Sequence, residues 1–590
     1  MGKSICQNAK IKIMFNPIFT LSILFISVVS LQSGVLPVQA QPAESAPLSE
    51  FQRKYISLYQ QAQNPLDEFL SRYFQRELPR FDYVLQGLDT EVSLPDFLNT
   101  ARIYQQEHAG ELAAGQETPD LKLGEKVVTW SETQKLLNAA YVMAPQWQFS
   151  PIQIGGPEKS KEGEKWYLSF RSQMTLQLPI YSLKQEGPKV LEQYSQSWEI
   201  VKLLPIDNIE SLRERMLFEL GSAPNPSDGK VFLEELRKLS PFDQVFARLE
   251  QEDPAPSMMG IAAKALEAEL LPGAQVGKLT NQVLELALGQ ISLFGSDSGN
   301  KVNQLLEGVT TLYKMQELVA KLRNHPDFAV KGQVMAHDLK GDRVTLSLPG
   351  GETPQSLGLK MDHGYKIVEY LGPEKKASEI GFLKLRQLNE KDLLAEPIIA
   401  QRNFELGDQY LEYAKTDFQV NFRGGIGSLT LDPRLGPQDF QPEGSVEILY
   451  SLAPFLNWSE TYLNLNGSVG MLSQGQGNNS NSLVAVTLEG GLSKRFHFRQ
   501  WALDLGFRVG QINGQLSQGV RDLSQSNMGG TAFCGLAYQV NPDFILGINA
   551  GWRYYPSSSK AWKEGNNSVN LNYGLESNGP VASLFLNYQI

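Results

Sequence analysis

From Phe418 onward the chain alternates between apolar and polar positions. Trp501, Leu503, Leu505, Phe507 and Val509 interleave with Ala502, Asp504, Gly506, Arg508 and Gly510. Phe544, Leu546, Ile548, Ala550, Trp552 and Tyr554 interleave with Ile545, Gly547, Asn549, Gly551, Arg553 and Tyr555. Successive side chains of a strand point to opposite faces, so this period predicts strands with an apolar environment on one side and a polar one on the other. Further strands are expected at about 418–431, 444–456, 462–474, 483–495 and 529–540. A closing strand, Val581 to Ile590, places Ala582, Leu584, Leu586, Tyr588 and Ile590 on one apolar face. By itself that decamer fits the edge of a soluble sandwich equally well.

Before Phe418 the period is mixed. Asn64-Pro-Leu-Asp-Glu-Phe-Leu opens a helix with Pro65 in its first turn. A second helix is expected from Glu132 to Met143, stopped by Pro145. Strands follow at Trp147 to Ile154 and Trp166 to Leu178, and Trp198-Glu-Ile-Val-Lys-Leu closes an α+β unit over 41–206. Residues 207–323 read as helical. Asp207 to Glu210 has the form of a capping box, Gly221 supplies a stop, and the last helix runs from Lys301 to Arg323. Strands return at Phe328 to Met335, Arg343 to Leu348, Leu357 to Met361 and Gly364 to Leu371, giving a second α+β unit over 324–379. Its Tyr365-Lys-Ile-Val-Glu parallels Trp198-Glu-Ile-Val-Lys, which fits a degenerate duplication or two amphipathic strands alike by chance. The charged stretch 380–416 is expected to be a helical connector to 417–590.

Composition narrows the class. Lys3, Lys10 and Lys12, the apolar run Ile18 to Val29 and the small-residue site Val38-Gln-Ala40 read as a secretory signal over 1–40. No later apolar stretch is long enough for a membrane helix. Loss of those three lysines, with no acid, takes the formal charge from -11 to -14, and Lys and Arg are not clustered, which argues against a nucleic-acid or anionic-lipid partner. Cys6 leaves with the signal, so Cys534 has no partner for an internal disulfide.

The connections between the C-terminal strands sort by length. Those holding Asp432 to Glu443, Gly475 to Ser482, Gly514 to Asn527 and Pro556 to Gly579 are long; those near Asn457 to Thr461, Phe496 to Gln500 and Asn541 to Asp543 are short. Membrane barrels alternate long outer and short inner connections, whereas a soluble sandwich has no reason to. With the dyad strands and the closing strand, the last 175 residues or so resemble small outer-membrane β-barrel proteins of about eight strands. The match departs from the usual pattern at Ile590, where most such barrels carry Phe. The resemblance implies a multidomain protein, an N-terminal α+β and helical periplasmic region followed by an antiparallel transmembrane barrel. It also implies outer-membrane lipid and the barrel-assembly machinery as partners, with Leu584, Leu586, Tyr588 and Ile590 as the assembly signal.

Inward alternation puts Arg423, Glu447, Glu489, Asp504, Arg508 and Arg553 in the lumen, three acids and three bases. An eight-stranded barrel is just wide enough for its side chains to fill, and charges in so narrow a space must pair. A plugged interior is therefore expected rather than a pore. The outward loops, with Trp562 and Lys563 in the longest, offer a surface for a protein partner. Catalytic motifs are not found. His108, His325, His337, His363 and His497 show no metal-ligand spacing, and Gly295-Ser-Asp-Ser-Gly299 carries Asp297 where a nucleophile elbow needs Ser. His337-Asp338 with Asp342, and Asp362-His363, are read as solvated surface groups. No cofactor is expected. The leading reading is a non-enzymatic envelope scaffold or binding protein, with a porin-like transporter and a barrel-tethered enzyme as alternatives.

Overall fold

The computed structural model describes residues 53–60, 64–87, 94–108, 121–123, 126–128, 141–150, 153–159, 166–183, 189–206, 298–338, 342–371, 376–430, 440–474, 481–518, 521–557, 561–564, 567–571 and 573–590. The expected signal and the helices expected between 207 and 297 lie outside them.

The chain begins with a β-α-β unit, β1 (Lys54–Gln60), α1 (Pro65–Glu77) and β2 (Phe81–Gly87), whose strands are parallel. Asn64 caps α1 by accepting from the Leu66 N–H at 3.0 Å, and Pro65 occupies a first-turn position that needs no donor. Leu66, Phe69, Leu70, Tyr73 and Phe74 recur at helical spacing and are buried against the sheet. Next come α2 (Leu94–Glu107), a short hairpin of β3 (Leu121–Leu123) and β4 (Lys126–Val128), then β5 (Tyr141–Met143), β6 (Gln146–Phe149), β7 (Gln153–Lys159), β8 (Trp166–Ser182) and β9 (Lys189–Ile206). The sheet order is β2-β1-β5-β8-β6, with β7 and β9 also on β8. Tyr141 to Met143, expected at the end of a helix, is thus a strand beside β1, because all three side chains are buried and no face is left for solvent. The rest of that expected helix lies outside the described residues. Helix α3 (Ser298–Asn324) contributes Val309, Leu312, Met315, Leu318 and Leu322 to the same core.

The expected connector at 380–416 is corrected by the structure. Strands β10 (Lys331–Asp338), β11 (Arg343–Ser347), β12 (Gly364–Leu371), β13 (Lys376–Leu388), β14 (Asp392–Ala400) and β15 (Gln409–Tyr413) close a six-stranded barrel in the order β10-β11-β14-β13-β12-β15. The charged residues suggested a solvated helix, but Leu383 and Leu385, and Leu393 and Ala395, are buried two apart, the strand period. The units expected at 324–379 and 380–416 are therefore one domain. Leu357 to Met361 is a turn, anchored by buried Leu357 and Leu359 rather than paired as a strand. The two resembling strands also part company. Trp198 sits in β9 on a mixed open sheet and Tyr365 in β12 of a closed barrel, so the topology does not repeat.

The C-terminal part is a closed antiparallel transmembrane β-barrel of eight strands: β16 (Phe418–Ser428), β17 (Phe440–Ser451), β18 (Thr461–Gln474), β19 (Asn481–Phe498), β20 (Trp501–Gln518), β21 (Arg521–Gln539), β22 (Phe544–Tyr555) and β25 (Ser577–Gln589). Pairing of β25 with β16 over Val581 to Gln589 removes the open edge. On the outside, Leu503, Leu505, Phe507, Leu546, Ile548 and Leu584 are exposed, with Trp501 and Phe544 toward one rim and Trp552 and Tyr554 toward the other. An apolar belt bounded by aromatics is what a strand wall facing lipid requires. Gly514 to Asn527, expected as a loop, instead extends β20 and β21, which stay in register to Gln518 opposite Arg521. A further hairpin, β23 (Ala561–Glu564) and β24 (Asn567–Asn570), attaches to β21 by the Ser524–Lys563 pairing.

Candidate functional site: the occluded lumen and its near mouth

Alternation along the barrel strands brings Arg423, Glu447, Glu489, Asp504, Arg508 and Arg553 into one interior, where every one of these side chains is largely or wholly buried. Glu447 lies between Arg423, which donates to its Oε2, and Arg508, whose Nη1 donates to Oε1 at 3.0 Å. Asn421 Nδ2 adds a bond to Glu447 at 2.6 Å. Glu489 accepts from the Thr531 hydroxyl at 2.5 Å and the Tyr555 hydroxyl at 2.9 Å, with Arg508 Nε 3.3 Å away. Two partners were not singled out in the sequence. Glu443 receives both Arg553 terminal nitrogens at 2.6 and 2.7 Å, and Arg495 forks onto Asp504 at 2.7 and 3.0 Å. Arg495 was legible by parity, six residues from Glu489 on the inward face, whereas Glu443 was expected in the connection before the strand, and only the extension of β17 back to Phe440 puts it four residues from Glu447 on that face.

The interior is thus eight charges in four acids and four bases. Guanidinium planes also lie over aromatic rings, Arg508 4.7 Å and Arg423 5.5 Å from the Phe533 centroid. The lumen keeps only small spaces among the described residues: a cavity of about 40 Å³ beside Arg423, Asn466, Asn549 and Arg553, and two of about 10 Å³ toward either end. Such volumes hold one water or a few. The far mouth is closed by apolar packing of Leu472, Leu483, Ile512, Leu516, Leu523 and Tyr555 around Trp562. Trp562 was expected on an exposed loop. It is wholly buried instead, because β23 folds back over the mouth and its indole N–H donates to the Tyr573 carbonyl at 3.0 Å.

The small barrel closes the near mouth by holding all three short turns. At the β17–β18 turn, Lys384 Nζ meets Glu460 Oε1 at 2.9 Å, and Arg386 Nη1 lies between Glu460, at 3.2 Å, and Asp362. At the β19–β20 turn, Arg499 Nε donates to Asp342 at 2.7 Å. At the β21–β22 turn, Asp543 accepts from the Tyr413 hydroxyl at 2.7 Å and pairs with Lys415 at 2.5 Å. Burial, and then the Glu460 carboxylate, push Asp362 up to about 6 against the pull of Arg386 and Lys384. Beside the mouth, α3 covers part of the outer wall. Tyr313 packs edge-on against Phe418 at 6.3 Å, and Gln316 bonds Asp417 at 2.8 Å.

A third charged centre ties the open sheet, α3 and the small barrel together. Arg80 and Arg323 both grip Glu412, Arg323 Nε at 2.7 Å and Arg80 Nη2 at 3.1 Å, all three buried. Burial pushes the Glu412 carboxyl up, but the two guanidiniums outweigh it and hold it at about 2. The histidines stay apart. His363 lies against Arg323 and is kept well below its ordinary range by burial and then by that charge. His497 lies 3.5 Å from Glu460, His337 3.7 Å from Asp342, and His325 3.8 Å from Glu192, while His108 packs on Tyr104. His363 and His337 are thus core and junction groups rather than solvated ones. Among the described residues no group of His, Cys, Asp and Glu could hold a metal ion.

The closed eight-stranded barrel, its apolar belt and its paired lumen define the small outer-membrane β-barrel class, and the C-terminal part resembles such proteins. No protein-family model matches the sequence, and no curated protein matches it. Among solved structures, Neisserial surface protein A is 13% identical, covering 30% of this chain and 99% of its own, with a TM-score of 0.23. The N-terminal barrel domain of Pseudomonas aeruginosa OprF is 14% identical over 30% and 100%, with a TM-score of 0.17. The outer-membrane protease OmpT from Escherichia coli is 11% identical over 39% and 94%, with a TM-score of 0.21. At these scores the likenesses add nothing to the strand pairing, on which the barrel assignment rests.

Proposed function

We propose that this protein is a non-conducting outer-membrane anchor that holds a large periplasmic region at the membrane as an envelope scaffold or binding protein. The observation that carries this reading is the triple closure of the barrel: an apolar plug at the far mouth, interlocked ion pairs within, and a second barrel bonded to every near turn. A transporter spends its interior on a path. Here the interior is spent on bonds between strands. The N-terminal units lie at the end with short turns, which in this barrel class faces the periplasm, and the closing strand serves the assembly machinery. A protein partner would then meet the open sheet and α2 side of the periplasmic region.

The test is a planar-bilayer recording on the purified full chain. No steady unitary conductance is expected at either polarity, even after urea pulses that leave the barrel folded. Reproducible single-channel steps would replace the anchor with the porin-like reading.

A further inference from the structure

The lipid-facing wall is not uniformly convex. Two apolar concavities of about 900 and 570 Å³ meet at Cys534 and Ala550 and form one groove on the outside of the barrel. Strand register explains it. Lys494 pairs with Leu505, Leu505 with Cys534, Cys534 with Ala550, and Ala550 with Ala582, all outward positions. The next row toward the near rim is bulky, Leu503, Leu536, Ile548 and Leu584, and beyond the groove stand Phe507 and Trp552. Small side chains between large ones leave an oblique trench. Its four strand steps span about 19 Å, enough for one acyl tail in a leaflet that is half of a roughly 30 Å core.

The groove carries its own charge. Lys494 stands at the near-rim end on an outward position, between exposed Leu492 and Phe496, and is the single charged side chain lining the trench. Its ammonium donates to the Ser459 carbonyl and, at 3.3 Å, to the Thr461 hydroxyl, while the Asp362 and Glu460 carboxylates attract it without bonding it directly. An ammonium has three donors, so one is left for an acceptor from outside. Trp458 flanks the same end, 65% exposed, at the level where an indole suits a headgroup. A lysine placed there, with one donor still open toward the lipid, complements a phosphate lying above an apolar tail.

We propose that this groove is a specific site for one glycerophospholipid of the periplasmic leaflet, its phosphate on Lys494 and one acyl chain along Cys534, Ala550 and Ala582. The site rests on the membrane-anchor reading, and would fix the barrel's depth and rotation relative to the leaflet that the periplasmic units adjoin.

The test is native mass spectrometry of the full chain released from detergent micelles with added phosphatidylglycerol or, as a headgroup-free control, diacylglycerol. One phosphatidylglycerol should stay bound through activation, with diacylglycerol retained about fivefold less. Lys494→Gln should lower phosphatidylglycerol retention by the same about fivefold and so equalise the two lipids. Ala550→Phe, which fills the trench from the lipid side, should abolish retention of both. Equal retention by wild type and Ala550→Phe, or no bound lipid on the wild type, overturns the site. A dimer of chains in place of a lipid adduct overturns it too and assigns the groove to a second copy. Heat-modifiable gel mobility is read on all three proteins. Its presence in the variants makes lipid loss a property of the groove, whereas its absence in the wild type would sink the membrane-barrel reading itself.

Discussion

Glu412 shows how much one side chain can hold. It accepts from Arg80 on the first helix-to-strand turn, from Arg323 at the end of α3 and from the Val330 N–H at 3.0 Å, so three parts of the chain meet on one carboxylate. Its pKa lies below the ordinary 4.5, so the folded state favours the ionised form. That stability is fully present above about pH 4.5 and is lost as pH falls toward 2, an effect of about 3 kcal/mol. Acid titration of the folded protein, followed by near-ultraviolet circular dichroism, should therefore show the open sheet, α3 and the small barrel loosening in that window. Glu412→Gln should remove this acid limb and, by leaving two buried guanidiniums without a carboxylate, cost about 3–5 kcal/mol at neutral pH. An unchanged urea midpoint would show that the centre is solvated instead. Asp362 has the opposite sign. Raised to about 6, it is more readily protonated when folded, so its contribution weakens as pH rises from about 4 to 6 and the junction with the β17–β18 turn is tightest in mild acid.

At the scale of elements, the closing strand and the small barrel teach different things. In β25 the outward residues Leu584 and Leu586 are exposed, Tyr588 stacks on Phe544 at 5.0 Å, and the Ile590 carbonyl accepts from the Thr416 N–H and, at 2.8 Å, from its hydroxyl. This geometry predicts that Leu584→Lys, near the middle of the belt, costs about 2–4 kcal/mol of barrel stability. Urea titration in lipid vesicles with gel mobility as readout checks it, and a shift indistinguishable from zero would place that face in water. Strands β13, β14 and β15 were harder to read. Lys384 and Arg386 alternate with Leu383 and Leu385, yet both reach Glu460 in the other barrel, Arg386 while also pairing with Asp362 and Glu396 in its own, and no local period separates that from a solvated face.

For the whole molecule, occlusion is redundant. The far plug, the lumen pairs and the near junction rest on different contacts, apolar packing around Trp562, the Arg508–Glu447 pair and the Lys384–Glu460 pair, although Tyr555 links the plug to Glu489 and Tyr462 links Gln419 to Glu460. Trp562→Ala should therefore destabilise the barrel by about 3–5 kcal/mol, the usual cost of emptying a buried aromatic site, while leaving the bilayer silent. A thermal melt by gel mobility and a conductance trace on the same sample test both halves; open-channel events would show that the plug alone holds the barrel shut. The covered wall at Phe418 and Tyr450 has a further consequence. Because α1 and α3 share a core with it, the near rim of β16 and β17 is covered by the N-terminal unit rather than by lipid.

The sequence by itself determined what is local or periodic. Period-two alternation was enough for the eight strands, for the inward set around Glu447 and Glu489, and for the apolar face of Leu584 and Leu586, because a pleated strand converts parity directly into side-chain direction. It also carried α1, where Asn64, Pro65 and the Leu66–Phe69–Phe74 spacing agree. Only the tertiary structure decided where distant segments meet. The second barrel, Trp562 packed inside the mouth against Leu472 and Leu483, the Arg80–Glu412–Arg323 centre and the grip of Asp362, Lys384 and Arg386 on the near turn each join residues scores or hundreds of positions apart. Such pairings depend on closure of whole sheets and on burial shared between domains, and no local period or spacing encodes them.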